Sequence, residues 1–295
     1  MKYLLILLLS LVVGFGQVVT DNVTGLPMIK IGAGASDASA LKVARGLVPG
    51  QSSVNKFGRN IEIDASITAD IWDGGHTLSS GGTSLIWVAP TQARTHVIAS
   101  TDAGDTAGGA GARTLRVYGL PDDWDSPEVS EDIILDTGSP PVTTNSYVII
   151  QRMYVLTKGA TSSNIGIITA TATTDGTITA KIRAGQGQTQ MIIYGVPSTQ
   201  TFYMSRLYAN MNKASGSATG YVDMELKFNP EPQDELTNFL TKHTFSISLD
   251  GTSAFSIPYN LYKSFPGPCI LKLQGSSATA NMDVSAGFDG ILVDN

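Results

Sequence analysis

From Phe57 to the C-terminus the chain is written in short runs of Val, Ile, Thr and aromatic residues, punctuated by Gly, Pro, Asp and Ser. The punctuation recurs at intervals of roughly eight to twelve residues, a spacing too short for helices and suited to strands joined by tight turns. Runs of this kind occupy residues 85–88, 95–100, 113–118 and 131–135. The longest, VTTNSYVIIQRMYVLT at 142–157, reads as one bent strand or as two joined at a bulge. Eight more follow, at 165–174, 177–183, 188–196, 201–210, 220–228, 242–249, 269–274 and 282–293. Asp175-Gly176, between ITATATT and TITAKIR, has the chemistry of a two-residue hairpin turn, and Asp250-Gly251 repeats it. Helical patterning is confined to 37–47 and 234–240, so the strand–helix alternation of a doubly wound sheet or a TIM barrel is absent.

This pattern predicts an all-β protein of two consecutive antiparallel β-sandwich, jelly-roll-like domains at residues 56–158 and 159–295. The boundary is placed at the polar connector TKGATSSN (157–164), and a single large sandwich is the alternative. A short N-terminal arm at 17–55 precedes them, with one amphipathic helix at 37–47 that Ser36 or Asp37 caps and Gly46 stops. The arm reads as a docking segment or as a plain linker. Residues 1–16 combine Lys2, an unbroken apolar run and small residues around Phe15, the pattern of a cleavable export signal. The run is shorter than the roughly 20 residues a bilayer span requires, which argues against a permanent span. A retained short anchor, or initiation at Met28, are the other readings of this segment.

Composition narrows the function classes. Charged residues make up 15% of the 295, apolar residues 42%, and the net charge is −6. Disorder is disfavoured by this balance, and so is general nucleic-acid binding, which needs clustered Lys and Arg. A single cysteine, Cys269, rules out an intrachain disulfide and a thiolate zinc cluster, and its apolar context PCILKL is that of a buried small hydrophobe. His76, His96 and His243 are far apart and form no metal-binding spacing. No nucleophile elbow or phosphate-binding glycine loop occurs, so neither a catalytic set, a metal nor a cofactor is assigned.

Two acidic tryptophan loops remain: ADIWDGG, with Trp72 and Asp73, and LPDDWDS, with Asp122, Asp123 and Trp124. A tryptophan beside carboxylates makes up a sugar-stacking platform. It also makes up a turn in which a large ring plugs the core while its neighbours cap backbone amides. A calcium site lacks the usual loop spacing. A glycan-cleaving enzyme would need two of these carboxylates to converge in a cleft. The loop STDAGDTAGGAGAR (100–113) is rich enough in glycine either to approach a partner closely or to stay mobile.

The segments VNKFGRNIEIDASITADIWDGG (54–75), STDAGDTAGGAGARTLRVYGLPDDWDSPEVSEDIILD (100–136) and DVSAGFDGILVDN (283–295) resemble a family of virion structural proteins from environmental, marine and freshwater tailed phages and viral metagenomes. The resemblance spans roughly residues 43–295 and transfers no catalytic residues. It implies a non-enzymatic role at the virion surface as a self-associating capsid decoration, spike or fibre-like component. The partners it implies are further copies of the chain, as a trimer or higher, other virion proteins and surface glycans, but not nucleic acid. The alternative function is a secreted carbohydrate-binding or adhesive β-sandwich module.

Overall fold

The computed structural model describes residues 16–20, 27–31, 38–76, 82–121, 124–213, 220–251, 253–277 and 281–295. The chain forms two compact units, Met1–Ser53 and Val54–Asn295. In the first, β1 (Gly16–Thr20) pairs antiparallel with β2 (Pro27–Ile31), Val18 opposite Ile29. Helix α1 (Ala38–Ala44) follows, in the place the sequence pattern indicates. It closes with Leu47 N–H donating to Lys42 C=O and Gly46 N–H to Val43 C=O, each at 2.9 Å. Gly46 sits at φ +66°, the left-handed residue such an ending requires. Apart from Gly16, the leader at 1–16 lies outside the described residues.

The second unit is antiparallel β throughout, as expected. Its strands are β3 (Gln51–Ile63), which begins just before it, and β4 (Thr68–Asp70). Then come β5 (His96–Ser100), β6 (Ala112–Leu120), β7 (Val129–Ile134), β8 (Ile149–Lys158), β9 (Ile168–Ala172) and β10 (Ile178–Ile182). The last group is β11 (Ile193–Val196), β12 (Gln200–Lys213), β13 (Tyr221–Asn229), β14 (Leu240–Ser248), β15 (Ala254–Pro266), β16 (Cys269–Ser277) and β17 (Met282–Asp294). One sheet has the order β15-β12-β17-β3, and a second the order β11-β16-β13-β14 with β4 also paired to β16. Because β4 meets β16 at Gln274–Ser276 and β11 meets it at Cys269–Lys272, they lie end to end and share one strand position. Counting positions from β3, the sheets read 1-8-3-6 and 2-7-4-5, which is the strand order of a jelly roll.

Period-two patterning explains how the two sheets close on each other. On β12, Phe202 and Met204 point inward, the register shifts beside Ser205, and Leu207, Ala209 and Met211 resume the same face. The bulge thus keeps one apolar face over fourteen residues. Val222, Met224 and Leu226 of β13 oppose it, with Val284, Ala286 and Phe288 of β17 beside it. Strand β15 escaped sequence reading because Pro258 and Pro266 interrupt its alternation, and proline is tolerated only at an edge such as this.

The second apolar core is made by two three-stranded sheets, β10-β9-β5 and β7-β6-β8, whose strands all lie between β4 and β11 in sequence, with Ile193 of β11 and Ile270 of β16 closing it. This corrects the expected division at residues 158 and 159: Met153 of β8 and Ile168 of β9 flank that point and share one core. The two sandwiches are nested, not consecutive. The connector at 157–164 failed as a boundary because it packs, Gly159 N–H donating to Gly111 C=O at 2.8 Å and Thr161 N–H to Ala110 C=O at 2.9 Å. Residues 85–88 form no strand, although Trp87 enters the second core and its Nε1 donates to Thr179 C=O at 2.8 Å. The hairpin turn at 175–176 carries its positive φ at Thr174 and Gly176 instead.

Strand β16 belongs to both cores, with Cys269, Leu271 and Leu273 facing the first and Ile270 the second. On that second face Lys272, 3% exposed, donates to Asp70 Oδ2 at 2.7 Å, and Asp70 is completely buried. The same carboxylate accepts Trp87 N–H at 2.8 Å and Gln274 Nε2 at 3.1 Å. Removing one member of such a pair strands the other charge. Asp70→Ala is therefore expected to lower stability by about 3–5 kcal/mol. The double variant Asp70→Leu/Lys272→Met should lose less than Asp70→Ala alone, and denaturant unfolding of both reads the difference.

Candidate functional site

The turn that follows β4 carries the first acidic tryptophan. Gly74 and Gly75 fold back over Trp72: a Cβ on Gly74 would stand 2.4 Å from the indole, so only glycine lets the chain pass. Trp72 is completely buried and Asp73 is 1% exposed. The Asp73 carboxylate accepts Gln190 N–H at 2.8 Å. Trp124 is 2% exposed, and its C=O accepts Ser198 N–H at 2.6 Å. Asp122 and Asp123 lie outside the described residues. The structure thus removes Trp72 and Trp124 as a sugar-stacking platform, because a ring enclosed on both faces presents none. Both act as core plugs.

The glycine-rich loop at 100–113 is closed around one carboxylate. Asp105 is fully buried; its Oδ1 accepts Ala112 N–H at 2.8 Å and Ile165 N–H at 2.9 Å. Its Oδ2 accepts Gly166 N–H at 2.8 Å and the Ser100 hydroxyl at 2.7 Å. A Cβ at Gly111 would lie 2.1 Å from Asp105 Oδ1, which explains the glycine without any partner. Asp105 therefore ties the loop between β5 and β6 to the segment before β9.

Among the described residues no group of three or more His, Cys, Asp or Glu converges on a metal-sized point. His96 is buried against Tyr147, ring centroids 6.2 Å apart, and burial pushes it down to about 4. Burial raises the Cys269 thiol well above its ordinary range. No described helix is long and apolar enough to cross a membrane.

Titratable groups instead gather where the two cores meet. Burial raises the Asp73 carboxyl from 3.8 to about 7 against the opposing pull of Gln190 N–H, Arg183, Lys181 and Arg59. Arg59 of β3 also pairs with Asp283 of β17 at 2.7 Å. Lys56 of β3 donates to Gln151 C=O, and burial lowers its amine to about 7, with Glu128 opposing.

The open side of the jelly roll, where β14 and β15 end their sheets, carries Leu261, the most exposed of the described large apolar side chains. Phe245 stacks on Phe255 at 4.2 Å, and His243 meets Tyr259 at 6.4 Å, so the two edge strands face each other across the mouth of the sandwich. Leu240, Leu261 and Tyr262 are 48%, 89% and 51% exposed. Residues 259–262 bulge outward because Met204 pairs with Lys263 while Arg206 pairs with Pro258. Sequence reading missed this rim, since the prolines hid the strand that builds it. The alternation in AFSIPY was the available signal.

No protein-family model and no curated protein matches the chain. Among solved structures, the infectious bursal disease virus VP2 subviral particle is similar at 10% identity over 83% of this chain and 73% of that one. The TM-score is 0.19, too low for the likeness to bear on fold or function.

The raised Asp73 carboxyl has a defined consequence for stability. A carboxyl that holds its proton more tightly in the folded state stabilises fully below its unfolded value, near 3.8, and this contribution is lost as pH rises through about 7. Thermal melts between pH 4 and 8 should therefore show the wild type losing stability with rising pH relative to Asp73→Asn. The slope difference is limited to about 1.4 kcal/mol per pH unit. Parallel profiles would show that Asp73 does not titrate in this window.

Proposed function

We propose that the chain is a non-enzymatic structural protein of a phage virion, a self-associating surface component of the decoration, spike or fibre type. The observation that carries this reading is the jelly roll itself, in the order 1-8-3-6 and 2-7-4-5 with a sandwich inserted at its second strand position. Viral capsid domains use this architecture, as lectins do, and the step from fold to role is an analogy. The resemblance on residues 54–75, 100–136 and 283–295 supports the same class. Those segments build β3 and β4, the Asp105 loop with β6 and β7, and the central strand β17. Their described tryptophans, and the carboxylates Asp70, Asp73 and Asp105, face inward and accept or pack.

Self-association is assigned to the β14 and β15 rim. Pro258 and Pro266 have no N–H to offer a neighbouring ladder, so a second copy would be held there by side chains more than by strand addition. Leu261 and Tyr262 project from the bulge and supply apolar contact.

Native mass spectrometry and electron microscopy of the chain from Gln17 onward test the proposal. A closed trimer or higher oligomer is expected, and Leu261→Asp with Tyr262→Ser should shift it to monomer while the circular dichroism spectrum stays unchanged. A monodisperse wild-type monomer at high concentration would sink the self-associating reading.

A further inference from the structure

The solvent face of the β7-β6-β8 sheet carries an ordered array that the apolar cores do not explain. Cross-strand register places Asp132, Arg116, Tyr154 and Gln188 in one row, through the pairs Arg116–Asp132, Arg116–Tyr154 and Tyr154–Gln188. The next row is Ser130, Tyr118 and Arg152. Tyrosine and arginine therefore alternate along both β6 and β8, each opposite the other kind. The diagonal tyrosines stack, with ring centroids 6.0 Å apart and planes 23° from parallel. Arg152 lies 5.0 Å from the Tyr154 centroid and donates to Gln188 Oε1 at 2.7 Å.

Charge distinguishes the two arginines. Arg116 is neutralised by a bidentate pair with Asp132, at 2.6 and 2.7 Å. Arg152 is exposed, and its hydrogen-bond partner Gln188 carries no charge. It also acts on Lys56 and Glu128, both of them buried, favouring the charged form of Glu128 and disfavouring that of Lys56. The face is thus a pair of prearranged rings beside one guanidinium that forms no salt bridge among the described residues.

We propose that this face binds saccharides that carry a carboxylate, such as uronic-acid chains. The apolar side of a sugar ring packs on the tyrosine pair at Tyr118, which Tyr154 steadies while Arg152 lies over the Tyr154 ring. The sugar carboxylate takes the free guanidinium N–H groups of Arg152 in a charge-assisted contact. Ring hydroxyls donate to Asp132 and exchange hydrogen bonds with Gln188 and Ser130. Single-stranded nucleic acid would use the same rings, but a phosphate chain is held by clustered Lys and Arg, and this face offers one guanidinium outside an ion pair. A flat face gives weak affinity per copy, which repetition in an oligomer would multiply. The proposal does not rest on self-association, because the face belongs to the inserted sandwich and not to the β14 and β15 rim.

Titration calorimetry of the full chain with oligomannuronate, with a neutral cello-oligosaccharide of the same length and with single-stranded DNA tests it. Saturable oligomannuronate binding is expected, at least tenfold weaker in Arg152→Gln and in Tyr154→Ala, with far weaker binding of the neutral sugar. Arg152→Gln changes an exposed side chain, and an unchanged melting temperature will establish that it folds. The proposal is overturned by absence of oligomannuronate binding, by equal binding of the neutral sugar, by binding that both variants leave intact, or by preference for DNA.

Discussion

A fully buried carboxylate that accepts three donors from two distant stretches of chain sets the geometry on which the nested arrangement depends. Asp70 is the last residue of β4, where the polypeptide is about to leave the jelly roll, and its oxygens are filled by Lys272 and Gln274 of β16 and by Trp87 N–H of the inserted sandwich. Desolvation raises its carboxyl, and Lys272 is the first of the groups that oppose this. Lys272 in turn lies 4.3 Å from the centre of the Phe239 ring, so its charge also meets an aromatic face. A buried charge pair stabilises only when the lone pairs and protons left over are also satisfied. Here one departure point, one shared strand and one entering segment are fixed relative to each other by three hydrogen bonds.

The same logic runs along the whole junction. Apolar burial is non-directional and would let two sandwiches slide, whereas hydrogen bonds to charged and amide groups are directional. Gln151 of β8 shows this without any charge: its Nε2 donates to Gly195 C=O at 2.6 Å and its Oε1 accepts Gly195 N–H at 3.1 Å. The side chain substitutes for a neighbouring strand on the outer edge of β11. Lys56, bonded to the Gln151 backbone, and Asp73, bonded to Gln190, add two further fixed points from opposite sides of the cores. The interiors are held together by area and the junction by direction.

This division explains what could be read from the sequence. Strand periodicity is local, and most runs identified by it are strands within a few residues of the places expected. The all-β sandwich class and the α1 helix were legible for the same reason. Nesting was not, because the pairing of β4 and β11 with one strand, β16, is written nowhere near either of them. Tryptophan beside aspartate is equally silent about direction: ADIWDGG has the composition of a platform, and only the two glycines pressed against Trp72 hint that the ring is enclosed. The strand β15 was hidden by its own prolines. The tyrosine–arginine face was visible in principle, as RVY in β6 and RMY in β8 share a period of two, but recognising it requires knowing that these strands are neighbours.

A chain with only 15% charged residues has few carboxylates for its surface. Several of them, Asp70, Asp73 and Asp105, are turned inward to organise backbone N–H groups and lysine. On the exterior two features stand out: the apolar rim of β14 and β15, and the ordered rings of β6 and β8. They belong to different sandwiches supported by different cores. Changes on either surface therefore leave the packing beneath the other untouched, since side chains without shared partners contribute to stability nearly independently. Nesting one sandwich inside the strand order of another thus keeps the rim proposed for assembly physically separate from the face proposed for a ligand, while the Asp70 tether holds both in one frame.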